Sequence, residues 1–153
     1  MLKRATALTA TILLSAPLLA SCFGGGSGSD ESFVRALCEA QTSLRRGVDA
    51  AIAGAATQTD PQRTVDLLIP PVEAYVKAFR DAKPADDMKE WHSAAGSQLQ
   101  AAVGRFKSER TLASLEGFGD SPVPAPPAVQ KQRLRTAARS VEECAGVAFL
   151  KPD

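Results

Sequence analysis

Histidine is almost absent from this chain: His92 is the only one in 153 residues. A zinc site needs three or four ligands, and a hydrolytic triad needs a base held by a partner, so one imidazole leaves both short of parts. No Gly-x-Ser-x-Gly elbow and no Cys-x-x-Cys redox pair occurs. Acidic neighbours do occur, as Asp86-Asp87 and Glu142-Glu143. Adjacent residues point to different faces of a helix, so neither forms a glycosidase dyad without help from elsewhere. Net charge is only +1, which removes the electrostatic reason to expect nucleic acid as partner. Aromatics make up 5% of the residues while alanine is abundant, a balance that favours close-packed helices over sheet. No internal repeat and no sustained period-2 alternation is present.

A long apolar run is lacking as well. The stretch from Ala5 is broken by Pro17 and Ser21, short of the roughly 20 residues that span a bilayer. What stands there instead is a basic start (Lys3, Arg4), an apolar segment and then Leu19-Ala20-Ser21-Cys22. A plain secretory signal shares that general layout. The four residues ending in cysteine resemble the lipobox of bacterial lipoprotein precursors. That resemblance implies removal of residues 1–21, a diacylglycerol on the sulfur of Cys22, and attachment to a lipid bilayer at the cell envelope. The site would be the outer side of the cytoplasmic membrane or the outer membrane, and the absence of Asp after the cysteine resembles the outer-membrane default.

Residues 22–29 read as a lipid-bearing cysteine with a Gly/Ser tether, and residues 30–153 as one helical domain. Without Lys3 and Arg4, the 18 basic residues fall to 16 against 17 acids. Beyond Cys22 the chain has two cysteines, Cys38 and Cys144. In an oxidising compartment a disulfide between them is expected; two buried thiols or a thiol–metal site are the alternatives, the latter without nearby partners. Closing a loop of roughly 100 residues contributes about 4–5 kcal/mol in the chain-entropy account.

Four helices are predicted. Ser29 caps the first, with Asp30 and Glu31 in the turn where the dipole favours acids. Phe33, Leu37, Ala40, Leu44, Val48 and Ile52 form its inward stripe, and Gly54 ends it. Asp60 and Pro61 start the second; its stripe is Val65, Leu68, Val72, Val76 and Phe79, with a kink or short break at Pro70-Pro71. The third starts near Ala85 and ends near Glu116-Gly117, with Met88, His92, Ala95, Leu99, Ala102, Phe106 and Ala113 inward and Trp91 and Val103 flanking. Gly96 and Gly104 either allow close helix approach or weaken the helix. Residues 119–127 are proline-dense and extended. The last helix covers residues 128–148, with Leu134, Ala137, Val141, Cys144 and Ala148 inward. Such faces bury one another in a four-helix bundle, in which the proline connection allows a crossover.

Candidate chemistry is sparse. His92 and Met88 share a helix face and suit copper, but a histidine hydrogen-bonded across the bundle meets the same pattern; no cofactor and no metal is expected. Lys131, Arg133, Arg135 and Arg139 suit anionic headgroups or form a solvated helix face. Phe33 with Cys38, Pro84 with His92 and a late Cys144 resemble small helical exported lipoproteins, and this carries over no catalytic residue. The expected function is non-enzymatic: a helical surface offered to an envelope protein. The alternative is a carrier whose apolar ligand is lined by Phe79, Met88, Trp91, His92 and Phe106.

Overall fold

A computed structural model describes residues 28–56, 60–118 and 124–145. Among them the regular structure is entirely helical, in agreement with an all-α bundle: α1 (Asp30–Ala55), α2 (Pro61–Asp81), α3 (Lys89–Glu109) and α4 (Ala128–Ala138). Short 3-10 turns lie at Asp86–Met88, Leu112–Phe118 and Glu142–Cys144. Cys22 and the tether up to residue 27, the candidate inward residue Ala148 and most of the proline connection lie outside the described residues.

The starts of α1 and α2 follow local chemistry. The Ser29 hydroxyl accepts the Ser32 amide at 3.1 Å, and the Ser32 hydroxyl accepts the Ser29 amide at 3.1 Å. Two otherwise unpaired donors are thereby satisfied. At α2 the Asp60 carboxylate accepts the Gln62 amide at 3.0 Å, with Pro61 at the first helical position.

Helix α2 is unbroken at Pro70-Pro71, where a break was one expected outcome. Each ring removes a donor, freeing the carbonyls of Asp66 and Leu67, but both residues are exposed to water. On the other side Pro71 is accommodated by α1. A Cβ on Gly47 would stand 2.4 Å from the Pro71 Cβ, so the helices approach closely because Gly47 has no side chain. Gly96 serves α3 likewise, with its missing Cβ 3.2 Å from Arg80 Cγ, whereas nothing lies within 4 Å at Gly104.

Several boundaries depart from the sequence reading. Gly54 does not end α1: the helix continues to Ala55, with Gly54 facing Leu67. Helix α3 begins after the 3-10 turn at Asp86–Met88 and ends at Glu109, ahead of Glu116. Arg110 takes the left-handed conformation (φ 51°) and donates its amide to the Phe106 carbonyl at 2.9 Å. Its guanidinium pairs with Asp66 of α2, which offsets a conformation unfavourable for a residue with a Cβ. Ala113 therefore lies beyond the helix and is exposed. Helix α4 stops at Ala138, and a 3-10 turn brings Val141 and Cys144 inward.

Packing is antiparallel from α1 to α2, where Gly47 meets Pro71 and Gly54 meets Leu67. The same holds from α2 to α3, where Glu73 pairs with Lys107 at 2.5 Å and Arg80 donates to Gln100 at 2.9 Å. The last segment runs with α1, because the pairs Asp30–Arg133, Arg35–Glu143 and Cys38–Cys144 advance together along both. Helix α3 thus ends at the far end of the bundle, and α4 starts at the end where α1 begins. Ile52, expected inward, is 58% exposed. It lies five turns along the same side of α1 as Val34, and the short last segment covers that side only near Val34 and Cys38. Two apolar clusters form the core: a large one around Phe33, Leu37, Phe79, Met88 and Leu134, and a smaller one of Ala51, Val65, Leu68 and Phe106 at the far end.

Gly47→Ala forces Pro71 and α1 apart and is expected to cost about 1–3 kcal/mol. Gly104→Ala, pointing into open space, is expected to leave stability unchanged or raise it by up to about 1 kcal/mol. Urea denaturation of the two variants distinguishes close approach from mere helix weakening.

Candidate functional site

Four of the five proposed lining residues come together and one does not. Phe79, Trp91 and His92 meet Phe33 in an aromatic group. The Trp91 ring stands edge-on to Phe33 at 6.3 Å and to Phe79 at 6.1 Å, while His92 lies 4.8 Å from Phe79 and 5.5 Å from Phe33. Met88 is fully buried in the same cluster. Phe106 belongs to the other cluster, with Ala51, Val65 and Leu68. The reason is length: Met88 and Phe106 sit 18 residues apart, about 27 Å along α3 at 1.5 Å per residue.

His92 is bound across the bundle. Its Nε2 donates to the Phe79 carbonyl at 2.7 Å; that oxygen can only accept, so Nε2 carries the hydrogen. With this nitrogen engaged and the ring half-buried between two phenyl groups, His92 joins α3 to the end of α2. Among the described residues no group of three or more His, Cys, Asp or Glu is placed to hold a metal ion. The Trp91 indole N–H has no acceptor there.

Phe79, Met88 and Phe106 are buried in core packing. The described grooves have other walls. One of about 540 Å³ between α2 and α3 is lined by Glu73, Lys77, Arg80, Asp81 and Gln100 among others. Another of about 510 Å³ follows the α1–α2 seam along Ala36, Ala40, Leu44, Ala74 and Tyr75, with Glu39 and Asp81 also in its walls. Burial pushes the Tyr75 phenol above its ordinary pKa. A third, of about 590 Å³, lies at the start of α1 between Ser29–Glu31 and α4, beside the 76% exposed Val129.

The basic series on α4 contains the polar link that sequence reasoning missed. Arg133 Nη1 and Nη2 each donate to the Asp87 carboxylate at 2.8 Å, and the same guanidinium pairs with Asp30. One side chain therefore connects α4, the start of α1 and the turn before α3 in a fork–fork geometry. The Arg133 hydrogen bond holds the Asp87 carboxyl below the usual carboxylate range, and the pair pushes the guanidinium pKa further up. Asp87 lies 46 residues before Arg133, so no local spacing marks the pair. Cys38 and Cys144 form a disulfide with their Cα atoms 4.9 Å apart, both buried.

No protein-family model, no curated protein and no solved structure matches this chain.

A carboxylate with a lowered native pKa adds stability that is complete above its unfolded pKa and is lost as pH falls through the folded value. Carboxyl-detected NMR titration is expected to give Asp87 a midpoint below that of an ordinary aspartate, returning upward in Arg133→Gln. The stability difference between wild type and Arg133→Gln is expected to shrink on acidification through the carboxylate range. A difference that stays constant with pH contradicts the link.

Proposed function

We propose that this chain is an envelope lipoprotein, anchored in a bilayer by acyl chains on Cys22, whose bundle acts by binding another envelope component and not by catalysis. The observation that carries the reading is Leu19-Ala20-Ser21-Cys22 behind a basic, then apolar, leader. Attachment by two or three acyl chains is firm, since each buried CH2 contributes about 0.8 kcal/mol. Among the described residues no helix is long and apolar enough to cross a membrane. A disulfide between Cys38 and Cys144 suits an exported protein.

A binding role agrees with how the chemistry is distributed. The single imidazole is tied to a backbone carbonyl, and the forked Arg133–Asp87 contact joins structural elements at the start of α1. In the carrier alternative, a ligand would lie against Phe79, Met88, Trp91, His92 and Phe106. None of these lines a described groove, and the division of Phe106 from the rest offers no common wall.

Cys22→Ala is expected to move the protein from the membrane fraction to the soluble and unprocessed forms, read by fractionation and immunoblotting. A wild-type protein found wholly in the soluble fraction sinks the reading. Native mass spectrometry of the wild type extracted from its membrane is expected to show a complex with a second polypeptide. A retained small apolar molecule instead moves the assignment to a carrier.

A further inference from the structure

The tether does not enter the bundle loosely. Gly28 donates its amide to the Pro84 carbonyl at 3.1 Å, and a Cβ on Gly28 would stand 1.6 Å from the Lys83 carbonyl oxygen. Only glycine allows the backbone to lie against the α2–α3 loop in this way. Ser29 follows immediately as the cap of α1. Of the stretch read as tether, residues 23–27 are thus the part between Cys22 and the first fixed point of the fold.

That length sets a distance. Six peptide steps from Cys22 to Gly28 extend to about 20 Å at most, and a Gly-rich chain of that size has an r.m.s. span of roughly 13 Å. The start of α1, the Lys83-Pro84 loop and the first turn of α4 gather at this end, as the Gly28–Pro84 bond and the Arg133 contacts with Asp30 and Asp87 show. The opposite end, with Ile52 and the Arg110–Asp66 pair, lies about 35 Å away along α1 at 1.5 Å per residue.

Two sides of the bundle give a bilayer little to hold. The α2–α3 side carries the Lys77–Asp81 and Lys107–Glu73 pairs, which headgroup contact would desolvate. The α1–α2 groove has Glu39 and Asp81 in its walls, unfavourable against anionic lipid. The α1 end presents Val129, 76% exposed, and an exposed Lys83 beside the fixed point. The far end also exposes Ile52 and Leu112, but the short stretch from Cys22 holds Gly28, and not that end, near the surface.

From these observations we infer that the bundle stands end-on at the membrane. The Gly28–Pro84 end faces the bilayer surface, and the Ile52 end is held outermost. The inference rests on anchoring through Cys22. Orientation is set by the short tether and its fixed attachment at Gly28 and not by headgroup charge, because the acids Asp30 and Asp87 at this end are already paired with Arg133. The groove between Ser29–Glu31 and α4 is then shielded by the membrane, and a large partner reaches the bundle from its sides or far end.

The test uses the lipidated full chain, purified from membranes and reconstituted into phosphatidylcholine vesicles carrying a dansyl-labelled lipid. Energy transfer is measured from tryptophan at three places: native Trp91, Val129→Trp and Ile52→Trp, the last two combined with Trp91→Phe. Both substituted positions are exposed. Transfer from Trp91 and from Val129→Trp is expected to exceed that from Ile52→Trp several-fold, and to be unchanged when phosphatidylglycerol is added. Inserting a Gly/Ser repeat between Ser27 and Gly28 is expected to abolish most of the difference. Equal transfer from all three positions in protein that floats with the vesicles overturns the orientation alone. A difference that survives the longer tether, or appears only with phosphatidylglycerol, overturns the tether as its cause. Failure to float overturns the anchor and the orientation with it.

Discussion

The bond between Cys38 and Cys144 is the constraint on which the last quarter of the fold depends. Helix α4 spans 11 residues and its buried residue is Leu134, while isolated helices shorter than about 12–15 residues are marginal in water. Such a segment has too little apolar surface to stay on the bundle unaided. The disulfide fixes its far side to the first half of α1, and Arg133 fixes its near side to Asp30 and Asp87. Between these points Val141 and Leu134 close the large apolar cluster over Phe33, Leu37 and Met88. The bridged cysteines are 106 residues apart, so the cross-link restricts nearly the whole domain when unfolded. In a domain of this size, with only a modest core, that restriction is a large share of the net stability.

Helix α1 is consequently the common partner of the fold. Its Gly47 side receives Pro71 and the rest of α2; its Val34 and Cys38 side receives the last segment. Helix α3 completes the structure through α2, joined by His92 at one end and by Arg110 at the other. The two apolar clusters follow from this arrangement. Where α4 and its turn are present, the core includes four segments. Beyond their reach it narrows to Ala51, Val65, Leu68 and Phe106, and Ile52 is left in solvent.

What the sequence made legible was local. Ser29 before Asp30-Glu31 and Asp60 before Pro61 mark helix starts because the capping groups lie within three residues of their targets. The α2 stripe from Val65 to Phe79 is buried throughout, since helical periodicity continues across Pro70-Pro71 where the residues whose carbonyls are freed are exposed. The exceptions are non-local. Nothing near Gly47 announces that a proline ring 24 residues later must fit against it. Arg110 ends α3 without the usual glycine because Asp66, on another helix, holds its side chain. Arg133 looks like one more surface cation until the fold brings Asp30 and Asp87 beside it. For the candidate lining residues the difficulty is of another kind: an inward stripe marks burial equally well for a core and for a ligand pocket. His92 and Met88 share a face as expected, yet one is bonded to Phe79 and the other is enclosed.

The proposed anchor at Cys22 is the beginning of the functional proposal, joined to the bundle by the short stretch ending at Gly28. Intact mass measurement of the mature protein, extracted from its own membrane and denatured without reduction, addresses that beginning most directly. The account predicts a chain starting at Cys22, heavier by a diacylglycerol and any amide-linked acyl group, and lighter by two hydrogens for the Cys38–Cys144 bond. A mature chain that starts elsewhere, or starts at Cys22 with an unmodified thiol, contradicts it.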